Sequence, residues 1–246
     1  MNIGLIGYGR MGRLTAEVAK ERGHNATLHF TAKDRLSSIS QIEGVDCLID
    51  FSSPSAVSGN ISIAVESRVN IVVGTTGWDK EDLSEYKKEL NNAIFVSPNF
   101  SIGVNLFMLV VQSATRLLDY AGGYDVVIRE THHKRKLDSP SGTALNIAEE
   151  IIRLYSSKKN ISTGMPSGKI PDDVLQITSE RTGDIIGIHE VSYESEADSM
   201  MFRHQMNNRK AFALGAVSIA EWLEGRSGIL DFNDYLREEF GINKEQ

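Results

Sequence analysis

A chain of 246 residues, 41% hydrophobic and 24% charged, has room for one large or two modest domains and the make-up of an ordinary globular protein. Its 33 acids against 26 lysines and arginines leave a net charge of -7, which excludes a general role in coating nucleic acid or an anionic membrane and makes any cationic site a local one. The single cysteine, Cys47, lies in the apolar run V-D-C-L-I-D-F with no second thiol for a disulfide or a zinc site, so a buried, inert thiol in a reducing cytoplasm is expected.

The first residues, M-N-I-G-L-I-G, enter a strand at once with no basic stretch ahead of a long apolar one, and no export signal is expected. From residue 2 to about 103, short apolar runs alternate with amphipathic stretches, the rhythm of parallel strands joined by helices. I-G-L-I-G, A-T-L-H-F, V-D-C-L-I-D-F, I-V-V-G-T-T and A-I-F-V-S are the expected strands. Between them, Met11, Leu14, Val18 and Ala19 share one helix face, as do Val57, Ile61, Ala64 and Val65, and then Leu83, Tyr86 and Leu90.

A helix is expected from near Ser101, and its unbroken apolar run, Leu106 to Val111, is far short of the roughly 20 residues of a membrane span. Beyond it come a strand at Val126 to Ile128 and a helix from about Thr143 to Tyr155. L-Q-I-T, D-I-I-G-I-H-E-V-S-Y and S-M-M-F-R-H-Q-M then follow as strands with short polar turns, which favours antiparallel pairing. A last amphipathic helix spans about Lys210 to Leu223. The predicted fold is α/β: a Rossmann-like doubly wound parallel sheet over residues 1–103, with 214–246 packing back on it, and a second α+β domain over 104–213 with a largely antiparallel or mixed sheet.

G-Y-G-R-M-G, residues 7 to 12, follows the first strand and opens the first helix, the context a dinucleotide fingerprint requires. Gly7 permits the tight turn, Gly9 lets backbone approach a pyrophosphate, and Gly12 lets helix and strand pack closely; Tyr8, Arg10 and Met11 line the same loop. The place of the usual ribose-binding acid reads F-T-A-K-D, where Lys33 beside Asp34 leaves NADH and NADPH both open. G-T-T-G, with Gly74, Thr75 and Thr76, and S-P-N-F-S, with Ser97, Pro98, Asn99 and Phe100, end the fourth and fifth strands on the ligand-binding edge of such a sheet.

E-T-H-H-K-R-K-L-D-S-P-S-G-T-A, residues 130 to 144, sets two histidines and three cations in five positions and then breaks into helix-capping residues. The first amides of that helix, at Gly142 and Thr143, suit one carboxylate and Lys136 suits a second, which together fit a small dicarboxylate. Of the adjacent pair His132 and His133, expected on a loop, one acts as an acid while the other orients substrate. No metal is expected, because adjacent histidines lack ligand spacing and no third histidine or cysteine clusters with them; His189 and His204, inside strands, are assigned no chemistry.

Together these stretches resemble the bacterial dihydrodipicolinate reductases, also called 4-hydroxy-tetrahydrodipicolinate reductases. The most specific match is residues 130 to 144; V-G-T-T-G, S-P-N-F-S-I-G-V-N and R-T-G-D-I-I-G-I-H-E-V follow the family's order, with departures at Ser139 and Ile188. The resemblance implies hydride transfer from NADH or NADPH to a cyclic dicarboxylate of lysine and diaminopimelate biosynthesis. It also implies His132 as proton donor, Lys136 as auxiliary acid, and His133, Gly142 and Thr143 as substrate ligands. A cytoplasmic homotetramer built through the second domain's sheet, with a cofactor domain that closes over substrate, is implied as well. Two other functions would keep the glycine loop: a different two-domain dehydrogenase acting on an amino acid, and a dinucleotide sensor without catalysis.

Overall fold

The computed structural model describes residues 1–86, 90–164 and 168–241. The chain divides into two units, residues 1–102 with 210–246, and residues 103–209.

The first unit opens with β1 (Asn2–Ile6), α1 (Arg10–Glu21) and β2 (Asn25–Phe30). It continues through a 3-10 turn (Ile39–Ile42), β3 (Cys47–Asp50), α2 (Pro54–Ser67), β4 (Asn70–Val73) and β5 (Ala93–Val96). All the strand pairs are parallel, in the order β2-β1-β3-β4-β5 with β11 (Gly228–Leu230) beyond β5. β3 is buried at all four residues, as a strand covered on both faces must be, whereas β2 is an edge strand with alternating exposure. Cys47 is wholly buried there, and burial pushes its thiol pKa up, which keeps it inert.

α5 (Lys210–Trp222) and α6 (Phe232–Phe240) complete this unit. Sequence periodicity missed β11 and α6. The strand is three residues long, and α6 buries only Phe232, Tyr235 and Leu236. α6 is fixed instead by its start: the Asp231 carboxylate accepts from the Asn233 and Asp234 amides. Leu83, Tyr86 and Leu90 pack on the core as their spacing suggested, but the helix expected to carry them is a 3-10 segment, Lys80–Tyr86, and residues 87–89 lie outside the described ones.

The second unit holds most of α3 (Ile102–Ala121), then β6 (Asp125–His132), α4 (Gly142–Leu154), β7 (Asn160–Ser162), β8 (Val174–Arg181), β9 (Gly187–Glu194) and β10 (Ser199–Met206). The strand order β10-β9-β6-β8-β7 is antiparallel from β10 to β6 and parallel from β6 to β7, a mixed sheet. α3 is long and apolar enough to cross a membrane by length and composition. Its Phe107, Val111 and Leu118 are buried in this unit's core with Ile147 and Ile151 of α4.

β6 is five residues longer than the expected strand, and the extension positions the site. Val126, Ile128, Glu130 and His132 are its buried residues and share one face, since side chains alternate along a strand. On β9 the same alternation buries Gly187, His189, Val191 and Tyr193. The register sets Glu130 opposite His189 on β9, and His132 opposite Arg181 on β8. One face of one sheet therefore passes from apolar core to a polar cluster within two residues.

Candidate active site

In the first unit, the turn after β1 has no room for a side chain at two of its three glycines. Gly7 has φ +87°, and a Cβ there would meet the Phe51 carbonyl oxygen at 2.2 Å; a Cβ on Gly12 would meet the Gly7 carbonyl oxygen at 2.1 Å. Gly9 is exposed, nothing stands within 4 Å of where its Cβ would be, and as the N-cap of α1 it offers no capping side chain. The first amides of α1 are left open to an anion, with Arg10 exposed and Met11 half-buried beside them. Tyr8 stacks on His29 at 4.0 Å with the Arg13 guanidinium 5.7 Å from its ring centre.

Gly74 lies against the Phe51 ring, at 2.2 Å from a would-be Cβ. The Thr75 hydroxyl donates to Asp50 Oδ1 at 2.8 Å and accepts from the Ser52 amide at 2.8 Å, so this side chain braces two loops, and Thr76 beside it is exposed. Asn60 Nδ2 donates to the other Asp50 oxygen at 2.7 Å, so a fully buried carboxylate is satisfied by neutral groups. In S-P-N-F-S, the Ser97 hydroxyl donates to the Asn99 carbonyl at 2.9 Å and Pro98 is exposed. Phe100 is buried among Phe51, Phe95 and Phe232, which leaves backbone as its means of meeting a ligand. Lys33 and Asp34 are exposed in a turn whose amides donate to the Thr31 hydroxyl.

In the second unit, His132 is 7% exposed, and its Nδ1 lies 2.9 Å from Glu130 Oε2. Both atoms are shut off from solvent, and their approach is not aligned as a hydrogen bond. Glu130 Oε1 accepts from the Ser141 amide at 3.1 Å and from Arg181 Nη2 at 2.8 Å. Burial alone would push the Glu130 carboxyl up, but interactions with His132, Ser141 and Arg181 outweigh it and hold the group far below the usual carboxylate range. His189 Nε2 is 3.9 Å from Glu130 Oε2 and 3.2 Å from the Ser141 hydroxyl, and its ring is 5.2 Å from that of His132. Burial first, then the positive field of His132, lowers the His189 pKa to about 4, so it stays neutral near pH 7.

Ser141 caps α4 by accepting from the Ala144 amide at 3.2 Å. That bond takes up the third amide of the helix and leaves those of Gly142, which is exposed, and Thr143 with no intrahelical acceptor. Lys136 is half-buried, with its ammonium 2.8 Å from Asp138 Oδ2. Arg135 pairs with Asp184 at 2.6 Å, so two of the three cations crowded here are balanced within the chain. His133 is half-buried; what burial it has, with Arg135, Arg209, His132 and Lys136 around it, lowers its pKa.

Two family profiles match nearly the whole chain: "Dihydrodipicolinate reductase, N-terminus" over residues 1–100 and "Dihydrodipicolinate reductase, C-terminus" over residues 103–236. The chain belongs to the dihydrodipicolinate reductase family. These enzymes are NAD(P)H-dependent oxidoreductases of diaminopimelate and lysine biosynthesis. It is 36% identical over 242 residues to the 4-hydroxy-tetrahydrodipicolinate reductase of Christiangramia forsetii, covering 98% of this chain and 99% of that one. It is 34% identical to the enzyme of the same name from Archaeoglobus fulgidus, covering 93% and 96%. A dipicolinate-bound dihydrodipicolinate reductase from Paenisporosarcina sp. TG-14 shares the fold, with a TM-score of 0.80 at 24% identity over 94% of this chain and 97% of that one.

Three residues of this reductase's polar cluster, Glu130, Arg181 and His189, were missed by sequence reasoning, and two expectations need correction. His132 and His133 are not a loop pair: β6 runs through His132, which is buried, and His133 is the first residue past it. Nor is the pair without a third histidine nearby: His189, brought in from β9 by the sheet register, stands beside His132. The signal was present in the alternation, since Glu130 and His132 continue the inward positions of Val126 and Ile128. Glu130, His132 and His189 bring three metal-ligand atoms within 4.8 Å of one another. Arg181 on the same carboxylate places a fixed positive charge there, so the group reads as a charge-balanced acid and base cluster. His204, on β10, packs its ring 5.9 Å from that of Phe107.

Proposed function

We propose that the chain reduces 4-hydroxy-tetrahydrodipicolinate to tetrahydrodipicolinate, with the substrate held in the second unit at the start of α4 and a nicotinamide dinucleotide held in the first. The observation that carries the reading is the Ser141 cap. It leaves the Gly142 and Thr143 amides open beside an imidazole lodged against a carboxylate. Those amides sit at the positive end of a helix dipole and bind one carboxylate of the ring. Lys136, released from Asp138, meets the second carboxylate, and the half-buried His133 orients it.

Reduced nicotinamide, when bound, supplies the hydride. His132 supplies the proton to the ring atom that gains electron density, and Lys136 assists as an auxiliary acid. The dinucleotide is held by Gly7, Tyr8, Gly9, Arg10, Met11 and Gly12, where the missing side chains admit a pyrophosphate, and by Gly74 to Thr76 and Ser97 to Phe100. Lys33 favours a ribose phosphate and Asp34 a ribose hydroxyl, so the chain uses NADPH or NADH. A cytoplasmic homotetramer belongs to the same reading and is supported by the family resemblance.

A crystal grown with pyridine-2,6-dicarboxylate, the ligand of the Paenisporosarcina enzyme, tests the site. One carboxylate is expected on the Gly142 and Thr143 amides and the other on the Lys136 ammonium. Density for the ligand elsewhere, with those amides facing solvent, removes the assignment.

A further inference from the structure

Reduction of a ring by hydride and proton calls for a donor and two anion sites, and none of these explains why an acid occupies the core-facing side of β6. Glu130 is 1% exposed on the face that Val126 and Ile128 fill with hydrocarbon. A lone carboxylate there would lose several kcal/mol of hydration and take up a proton instead. It avoids this because Arg181 from β8 and the Ser141 amide both serve Oε1, which leaves Oε2 for His132.

We propose that Glu130 is the positioning residue of this reductase. It occupies Nδ1 of His132 so that Nε2 gives up the proton, and it ties that imidazole to the residue that caps the anion-binding helix. The inference rests on His132 being the proton donor. An imidazolium that releases its proton from Nε2 must keep the other on Nδ1, and an ionised carboxylate at Nδ1 favours that tautomer. The 2.9 Å approach is off-line here and tightens as the imidazole charges.

The surroundings leave Nε2 as the exit. Nε2 lies beside Gly187, where an added Cβ would come to 3.0 Å, so a glycine keeps that side clear of a side chain. His189, across the ladder on β9, stays neutral and brings no competing charge to Oε2. Of the charged groups around the pair, Arg181 is bound to Oε1 and Lys136 to Asp138. Glu130 remains the anion that faces Nδ1. Through Ser141, one carboxylate holds both the donor and the first turn of α4 in a fixed register.

The first measurement needs no change at Glu130. In the full-length protein labelled with ¹⁵N-histidine, with the His132 signals identified by their loss in His132→Asn, neutral His132 is expected as the Nδ1-protonated tautomer. An Nε2-protonated tautomer overturns the proposal.

The second uses Glu130→Gln, which keeps an acceptor near Nδ1 and removes the charge. In that variant the single-turnover rate should fall at least about tenfold while dinucleotide affinity stays the same. A rate equal to wild type overturns the proposal. Full activity in His132→Ala would instead remove the proton-donor assignment, and the tautomer would still decide whether Glu130 holds Nδ1.

Discussion

Replacing His132 with alanine is expected to lower turnover by about 10²- to 10⁴-fold, the range that a positioned proton donor contributes, with dinucleotide affinity within about twofold of wild type. The size of the effect follows from the lack of a substitute. His189 is the neighbouring imidazole, but burial holds it neutral, with a pKa of about 4, so it has no proton to give at neutral pH. Lys136 assists as an auxiliary acid in the proposed reaction, but its ammonium is engaged by a substrate carboxylate and does not replace the imidazole. The fold should survive, because Glu130 keeps Arg181 and the Ser141 amide when the imidazole is gone. Single-turnover rates, cofactor titration by fluorescence and a thermal melt on the same sample separate these effects. A rate unchanged from wild type would take His132 out of the chemistry.

The largest expected loss of stability comes from Gly215→Ala in α5. An alanine is ordinarily worth about 1 kcal/mol more than glycine inside a helix. Here its Cβ would stand 1.7 Å from the Phe100 carbonyl oxygen, and the obstacle is backbone that cannot rotate away. Phe100 in turn is wedged among Phe51, Phe95 and Phe232, so the loop has no room to retreat. Overpacking of this kind costs about 3 kcal/mol, which for a chain of this size corresponds to a drop of about 10 °C in Tm. Since Phe100 belongs to the S-P-N-F-S loop, cofactor binding should weaken as well. A melt that matches wild type would show that α5 does not press on this loop in solution.

The glycine loop was legible in the sequence because its physics is local: a strand end, a turn and a helix start lie within a few residues, and each glycine has its own steric reason. The apolar faces of α1, α2 and α4 were legible for the same reason, being periodic over several turns. What escaped depended on contacts between distant segments. Gly215 reads as an unremarked helix residue until Phe100 is packed against it. Arg181 and His189 lie 49 or more positions from His132 in the chain, and the sheet register alone brings them to Glu130. The crowding of cations was visible, but not its meaning, because Arg135 and Lys136 find acids and the half-buried Arg181, outside the run, supplies the charge that meets Glu130. The setting of His132 was misjudged: a polar pair at alternate positions of a strand was taken for a loop, since alternation was followed only as far as the hydrocarbon residues went.

The most direct measurement mixes the purified protein with enzymatically generated 4-hydroxy-tetrahydrodipicolinate and NADH or NADPH, and follows nicotinamide absorbance. Substrate-dependent oxidation of at least one of the two, with tetrahydrodipicolinate as product, is the result predicted here. Cofactor that binds but stays reduced in both cases, whatever the substrate concentration, would contradict it and leave a dinucleotide-binding protein that performs no reduction at this site.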